Sequence, residues 1–305
     1  MDESASRPLI LWSISDGRAG HVAQSRGLIQ ALAELADCSI HEIDAPPAAQ
    51  AFAGLFAGRA RFADDLPDPD LIIGAGHRTH LPLIGARRAR GGRSLVLMRP
   101  SLPLALFDFC LIPSHDAPPP AANVIVTRGP LNDVRPAAVR EPGTGLILIG
   151  GPSRHYRWDL DSLLQQIRTI TARQELRWQI CDSPRTPAAT RRALAGLGPD
   201  YRPFDRCPPG WLGGQMARAG TVWISRDSMS MIFESLSAGA AVGLLDVPSR
   251  GESRLGRATD SLAADGLAVP YPDWLAGRPL APPPAPLREG RRCAALVLDR
   301  LRQRS

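Results

Sequence analysis

The feature that most constrains the fold of this chain is the alternation of short apolar runs with amphipathic segments. Short apolar runs are typical of buried strands, and apolar residues recurring every three or four positions are typical of helices packed on one face. This alternation predicts parallel sheets covered by helices on both faces. In the first half we predict strands at Leu9–Ile14, Ser39–Ile43, Leu71–Gly74, Ser94–Met98, Phe109–Ile112 and Asn123–Thr127, with helices around Leu28–Leu35 and over Thr79–Ala89.

The alternation stops at Pro136–Gly145, where proline, glycine and charged residues cluster, and then starts again. Asp159 or Asp161 is expected to cap the first helix of this second half. The strands predicted there are Gly145–Ile149, Arg177–Cys181, Val222–Ser225 and Val242–Asp246. The fold class is therefore α/β, with two doubly wound Rossmann-like domains, 1–138 and 139–286, facing across a cleft. Residues 287–305 are expected to form a C-terminal helix that packs back toward the N-terminal domain.

Composition excludes several classes of protein. Hydrophobic residues make up 44% of the 305, so the chain can build real cores. No apolar run approaches the ~20 residues of a membrane span, and the polar start at Met1–Pro8 lacks the order of a secretory leader. We expect a cytoplasmic protein. The formal charge of +6 comes from dispersed arginines, which does not favour nucleic acid as a partner.

The five cysteines have neither metal-ligand nor redox spacing, and no His/Glu pattern suggests a zinc site. No cofactor and no metal are therefore expected. Phe52–Phe56 lies beside Arg59 and Arg61 and forms an apolar and basic patch. Such a patch suits peripheral contact with the inner face of an anionic membrane. A plain helix packed on the sheet is the other interpretation.

The first candidate site is Ser15–His21, directly after the first predicted strand, because ligands of doubly wound sheets bind at the carboxyl ends of strands. Asp16 or His21 is a candidate general base toward an acceptor hydroxyl. Gly17, Arg18 and Gly20 in the same loop, and His77 after a Gly-Ala-Gly turn, are expected to line the cleft. A helix-start loop with capping residues and no further role would have the same composition.

Two loops of the second half have the composition of phosphate sites. In Gly150–Arg154, the amides of Gly150 and Gly151 would face a phosphate, and the neighbouring Pro152, Ser153 and Arg154 would complete the loop. In the second loop, a helix start bearing Asp227, Ser228, Ser230 and Met231 would bind the same anion, and Glu234 would accept the hydroxyls of a ribose. Arg185 and Thr186 would wrap a base or phosphate, although a plain proline turn fits them as well.

These segments resemble a known family, the bacterial relatives of the plant mitochondrial-fission "elongated mitochondria" protein in the GT-B superfamily. The matching segments are Trp12–His21 with Gln24, Pro113–Asp116 with Asn123–Ile125, Gly150–Ser153, and Asp227–Met231 with Glu234. The resemblance implies a GT-B fold over most of the chain. The second half is also similar, more loosely, to the GlcNAc transferases that make the lipid-linked murein precursor. That similarity implies phosphate contacts for Gly151 and Ser153 and a ribose contact for Glu234.

The function expected from the loops and the resemblance is a metal-independent glycosyltransferase. It would transfer a sugar from a nucleotide-diphosphate donor, bound by the second half, to a lipid-linked or envelope glycan acceptor held by the first half. Asp16 or His21 would be the base, and Arg154 would stabilise the leaving diphosphate. Two alternatives stay open: a nucleotide-sugar epimerase or hydrolase of the same fold, and a non-catalytic GT-B adaptor that recruits a partner protein.

Overall fold

The computed structural model describes residues 7–47, 49, 50, 52, 63–251 and 254–303. Within them the chain divides into two compact units, one formed by residues 1–133 and 288–305 and the other by residues 134–287. The expected boundary at residue 138 lies five residues further along the chain. Each unit is an α/β structure built on its own parallel sheet, as the alternating sequence pattern predicts.

Six strands of the described residues form the first sheet in the order β2-β1-β3-β4-β5-β6, all parallel. The strands are β1 Leu9–Ser15, β2 Cys38–Asp44, β3 Leu71–Ala75, β4 Arg93–Leu97, β5 Phe109–Pro113 and β6 Val124–Thr127. Helices α1 Ala19–Ala33 and α2 His80–Arg90 follow β1 and β3. Every strand and helix predicted in this half is confirmed, with ends that differ by a few residues.

The second sheet has the order β12-β11-β10-β7-β8-β9 within the described residues and is also parallel. Its strands are β7 Glu141–Leu148, β8 Arg177–Cys181, β9 Asp200–Arg202, β10 Ala219–Ser225, β11 Ala241–Leu245 and β12 Val269–Pro270. The associated helices are α3 Leu160–Arg173, α4 Ala188–Ala195, α5 Trp211–Arg218, α6 Met229–Ala238, α7 Arg254–Ala264 and α8 Tyr271–Leu275. The central strands predicted for this half are confirmed.

One boundary of the second sheet was predicted wrongly. Strand β7 starts at Glu141, inside the segment Pro136–Gly145 that was expected to be a linker. Gly145 pairs with Thr221 of β10 and Glu141 with Ala219, across an irregularity in the register. Proline and glycine are tolerated there because the first half of this strand is exposed and its pairing is irregular, while only the apolar second half is buried.

The last helix, α9 Glu289–Arg302, belongs to the first unit although it follows the second along the chain. Its buried residues Cys293, Ala294, Val297 and Leu298 join Leu28 and its neighbours on α1 in one apolar cluster. Each sheet has such a cluster on both faces, which explains why the central strands are apolar almost throughout.

Among the described residues, no helix combines the length and the apolarity that crossing a membrane requires. Phe52 is 56% exposed. The rest of the expected membrane-contact patch, with Arg59 and Arg61, lies outside the described residues.

Candidate functional site

The loop after β1 holds an aspartate and a histidine in direct contact. His21 Nδ1 lies 3.0 Å from Asp16 Oδ1 and 2.9 Å from Asp16 Oδ2. The side chain of Asp16 is inaccessible to solvent and that of His21 is 19% exposed. Burial raises the pKa of Asp16, but hydrogen bonds from the Arg18 amide and from His21, with their charges, outweigh it and hold the pKa below 3.8. The carboxylate is therefore ionised and fixes the orientation of the imidazole.

Glycine at position 76 allows the imidazole of His21 to lie against the loop after β3. Gly76 has φ of +84°, in the region that favours glycine, and a Cβ built there would lie 2.3 Å from His21 Cε1. Within the described residues no group hydrogen-bonds His21 Nε2. The ring is held by its Nδ1 side and by packing, which leaves Nε2 for a substrate.

The same loops line a pocket of about 440 Å³ at the carboxyl ends of β1, β3, β4 and β5. Of the expected cleft residues, Arg18 and His77 contribute to this pocket together with His21, whereas the exposed Gly17 and Gly20 only shape the loop. The pocket also contains His80, Met98, Arg99 and Ser101, which the sequence did not single out, and Asp116, which was noted only within the segment that resembles the family. Arg99 comes directly after a predicted strand, so the strand-end rule applied to β4 would have found it.

At the carboxyl edge of the second sheet, the two expected phosphate loops lie side by side. Strands β7 and β10 are neighbours, and the Gly150–Gly151 turn contacts the loop bearing Asp227. The amide of Gly150 donates to Ser225 Oγ at 2.7 Å, and that of Gly151 donates to Asp227 Oδ2 at 3.0 Å. Both amides are buried and paired inside the protein, so the expectation that they face a phosphate is wrong for this structure.

The reason for the glycines is the close approach of neighbouring loops. A Cβ on Gly150 would lie 2.2 Å from Asp227 Oδ2, and one on Gly151 would lie 2.2 Å from the carbonyl oxygen of Arg185. Asp227, whose side chain is inaccessible, is an internal acceptor. Its carboxylate accepts from the Gly151 amide and from Arg185, so the expected phosphate contact for Asp227 is corrected to a role in holding these two groups.

The side chain of Arg185 is oriented by Gly151 and Asp227. Its Nη1 donates to the carbonyl of Gly151 at 2.9 Å and its Nη2 to Asp227 Oδ2 at 2.8 Å, while 43% of the side chain stays exposed. Thr186 is buried beneath it and its hydroxyl bonds the Gly150 carbonyl. Arg185, expected only to wrap a ligand, is thus an anchored side chain with donors left for an anion.

The other residues that were predicted at this edge make contacts mainly within their own turn or with the helix and apolar cluster beside them. Ser153 Oγ accepts from the His155 amide at 3.2 Å, Arg154 Nε bonds His155 Nε2 at 2.9 Å, and Pro152 is exposed in the same turn.

In the second loop, Ser228 precedes α6, Ser230 is exposed in the first turn of that helix, and Met231 packs against the apolar cluster. Glu234 is half-buried on the same helix. The neighbouring Arg226 donates hydrogen bonds to Thr259 and Asp260 of α7.

Solved structures with a similar fold include two enzymes named UDP-GlcNAc 2-epimerase and one named glycosyltransferase. The UDP-GlcNAc 2-epimerase from Methanocaldococcus jannaschii has a TM-score of 0.59 and 11% identity over 95% of this chain and 100% of its own. The UDP-GlcNAc 2-epimerase from Neisseria meningitidis bound to UDP-GlcNAc has a TM-score of 0.57 and 11% identity, over 97% and 100%. A glycosyltransferase from Rickettsia africae has a TM-score of 0.53 and 10% identity, over 98% and 97%.

These similarities show that the chain has the GT-B fold, as the sequence resemblance implied. A comparison with individual curated proteins gives no significant match. The sequence profile described as "Mitochondrial fission ELM1" matches residues 19–301, nearly the whole chain. The chain therefore belongs to the mitochondrial fission ELM1 family.

Proposed function

We propose that this protein is a metal-independent glycosyltransferase that transfers a sugar from a nucleotide-diphosphate donor to a lipid-linked or envelope glycan acceptor. The observation that carries the proposal is the Asp16–His21 pair. An imidazole held through Nδ1 by an ionised carboxylate, with Nε2 on a pocket, has the arrangement of a general base. The sequence left the choice between the two residues open, and the geometry favours His21.

In this mechanism, His21 Nε2 accepts the proton of the acceptor hydroxyl as that oxygen attacks the anomeric carbon of the donor sugar. Asp16 does not touch the acceptor; it orients the ring and stabilises the imidazolium that forms. The bond from the anomeric carbon to the diphosphate breaks, and the nucleoside diphosphate leaves with the electron pair. The hydrogen bonds that keep Asp16 ionised suit it to this positioning role.

The donor diphosphate is assigned to the carboxyl edge of the second sheet, with Arg185 as its principal contact. A guanidinium anchored on one side by Asp227 and Gly151 can present its remaining donors to phosphate oxygens without losing much side-chain freedom. Glu234 keeps its proposed place at the ribose. Support also comes from the names of structurally similar proteins, which include a glycosyltransferase and an enzyme bound to UDP-GlcNAc.

The donor assignment is tested by calorimetric titration with UDP, GDP and their sugar conjugates. We expect at least one to bind, and Arg185→Gln to weaken that binding by about tenfold or more, the range of hydrogen bonds to charged groups. Arg192→Gln removes an exposed arginine from nearby α4 and should leave binding unchanged. Arg185→Lys keeps the charge and controls for damage to the buried Asp227. Absence of nucleotide binding at millimolar concentration would overturn the proposal.

The alternative enzyme class is separated by incubating the bound nucleotide sugar without acceptor. A donor that stays intact supports transfer, whereas an inverted sugar or free sugar indicates an epimerase or a hydrolase. His21→Gln should abolish turnover in either case, while nucleotide binding by the second sheet stays intact. If Asp16→Asn, His21→Gln and Arg185→Gln all leave the cellular phenotype unchanged, the adaptor hypothesis is correct instead.

A further inference from the structure

The pocket beside His21 carries more positive than negative side chains. It is lined by Arg18 and Arg99, and its acidic side chain is Asp116. Arg18 is 64% exposed, and its Nε lies 3.9 Å from Asp16 Oδ2, a contact too long to use its donors fully. A volume of about 440 Å³ lies in the range of small-molecule sites and exceeds the size of a single inorganic anion.

Arg99 is held in place by an unusual backbone conformation. Met98, the residue directly after β4, has φ of +69°, which a residue with a side chain rarely adopts. Its amide still donates to the carbonyl of Leu111 at 2.9 Å, so the conformation turns the chain at the very edge of the sheet. Arg99 Nη1 then donates to the carbonyl of Asp116 at 2.9 Å, and this bond fixes one side of the guanidinium.

The pocket lining also includes a buried histidine. His80 lines the pocket although it is only 3% exposed, and its Nδ1 lies 3.3 Å from Ser101 Oγ. Within the described residues no group hydrogen-bonds its Nε2. Burial and the nearby charge of His77 lower the pKa of His80, so the ring is neutral near pH 7 and can donate or accept one hydrogen bond.

We propose that this pocket binds the phosphate group of a phosphorylated acceptor and thereby presents the neighbouring hydroxyl to His21 Nε2. The inference rests on the proposed function and names the acceptor class. Guanidinium groups bind phosphate oxygens in pairs, and a tetrahedral phosphate presents enough oxygens to serve two arginines at once. Arg18 and Arg99 are the phosphate contacts, and Ser101 and His80 supply uncharged hydrogen bonds.

The probes for the test are glycerol 3-phosphate, its uncharged counterpart glycerol, and vesicles with or without phosphatidylglycerol. Binding of the small probes is followed by NMR on the full chain, and vesicle binding by flotation. We expect glycerol 3-phosphate to bind and glycerol not to bind. Arg99→Gln and Arg18→Gln should each weaken binding by about tenfold, the loss typical of a hydrogen-bonded charge. Arg88→Gln, an exposed arginine in the last turn of α2, should have no effect.

The outcomes separate this inference from the proposed function. Nucleotide binding without glycerol 3-phosphate binding would refute the phosphate pocket and leave the transferase proposal standing. The reverse result would support the pocket and refute the donor site. Equal losses in the Arg88, Arg18 and Arg99 variants would show a general surface charge effect and also overturn the inference. Vesicle binding that depends on phosphatidylglycerol and on Arg99 would identify the phosphate as that of a lipid headgroup.

Discussion

At the scale of single residues, the Asp16 carboxylate shows how a loop can keep a charge away from water. Its side chain is inaccessible, yet the Arg18 amide and His21 both donate to it. These bonds favour the ionised form more than burial disfavours it, so the pKa of Asp16 is lower in the folded protein than in the unfolded chain. Because of that difference, the free energy of unfolding depends on pH through Asp16.

Asp16→Asn is expected to lower the free energy of unfolding at pH 7 by about 1–3 kcal/mol, since the substitution removes a charged acceptor. A lowered folded-state pKa contributes stability above the unfolded pKa, and that stability is lost as pH falls through the folded value. The gap between wild type and variant should therefore be full above about pH 5 and shrink in acid. Urea denaturation from pH 3 to 7 measures it. The exposed Asp37→Asn is the control; a gap that stays constant with pH would contradict the assignment.

The contact between Gly76 and His21 can be tested by comparing substitutions at Gly76 and at Gly91, a control glycine away from His21. Both have positive φ, +84° and +76°, but a Cβ on Gly91 would meet nothing within 4 Å. Gly91→Ala should therefore cost only the backbone term, about 1–2 kcal/mol. Gly76→Ala should cost clearly more and should displace the His21 imidazole, because its Cβ would overlap the ring. Thermal unfolding and the His21 NMR resonances measure the two effects; equal costs with an undisturbed ring would disprove the contact.

At the scale of elements, the local geometry of α3 decides which of two aspartates caps the helix. Asp159 and Asp161 were both candidate caps, and the structure has Asp159 at the N-cap, with Oδ1 accepting from the Ser162 amide at 3.1 Å. Asp161 lies in the first turn instead. A side chain caps only when its residue precedes the helix in extended conformation, which Asp159 does with φ −117° and ψ 100°.

Asp159→Ala should lower the free energy of unfolding by about 1 kcal/mol because one amide of the first turn loses its acceptor. Asp161→Ala keeps the cap and removes only a favourable charge near the helix start, which is worth about 0.3–1 kcal/mol at most. Raising the salt concentration should reduce the Asp161 effect more than the Asp159 effect. Urea denaturation, with and without added salt, measures the free energy of unfolding of the two variants, because urea itself carries no charge. A larger loss for Asp161→Ala than for Asp159→Ala would assign the cap to Asp161.

At the scale of the whole molecule, the C-terminal helix α9 makes the first unit discontinuous in sequence. Leu298 of α9 is buried in the cluster with α1, while Leu236 of α6 is buried in a cluster of the second unit. The stability of the first unit therefore depends on residues that follow the whole second unit along the chain. This dependence can be tested without removing the helix.

Leu298→Ala and Leu236→Ala should each cost about 2–5 kcal/mol, the range for truncating a buried leucine. Their effects should fall on different strands. Hydrogen exchange in the Leu298 variant should speed up in β1 and β3, with β7 and β10 less affected, and the Leu236 variant should show the opposite pattern. Equal loss of protection in both sheets, for both variants, would show that the two units unfold as one.

Features that depend on local periodicity could be predicted from the amino-acid sequence. Apolar strands, amphipathic helices, the α/β class and the polar loop bearing Asp16 and His21 follow from residues close together in the chain. The exceptions are informative: β7 extends into the expected linker, and the short strands β9 and β12 were missed because two or three residues carry too little periodic signal.

The polar groups that are available to a ligand could not be predicted, because contacts between distant parts of the chain set them. The amides of Gly150 and Gly151 suited a phosphate in sequence, but Ser225 and Asp227, about 75 residues away along the chain, occupy them. The pocket around His21 joins four separate strand ends, and the backbone of Met98 presents Arg99 to it. Hydrogen-bond partners that are distant in sequence leave no local pattern, so their presence can be known only once the chain has folded.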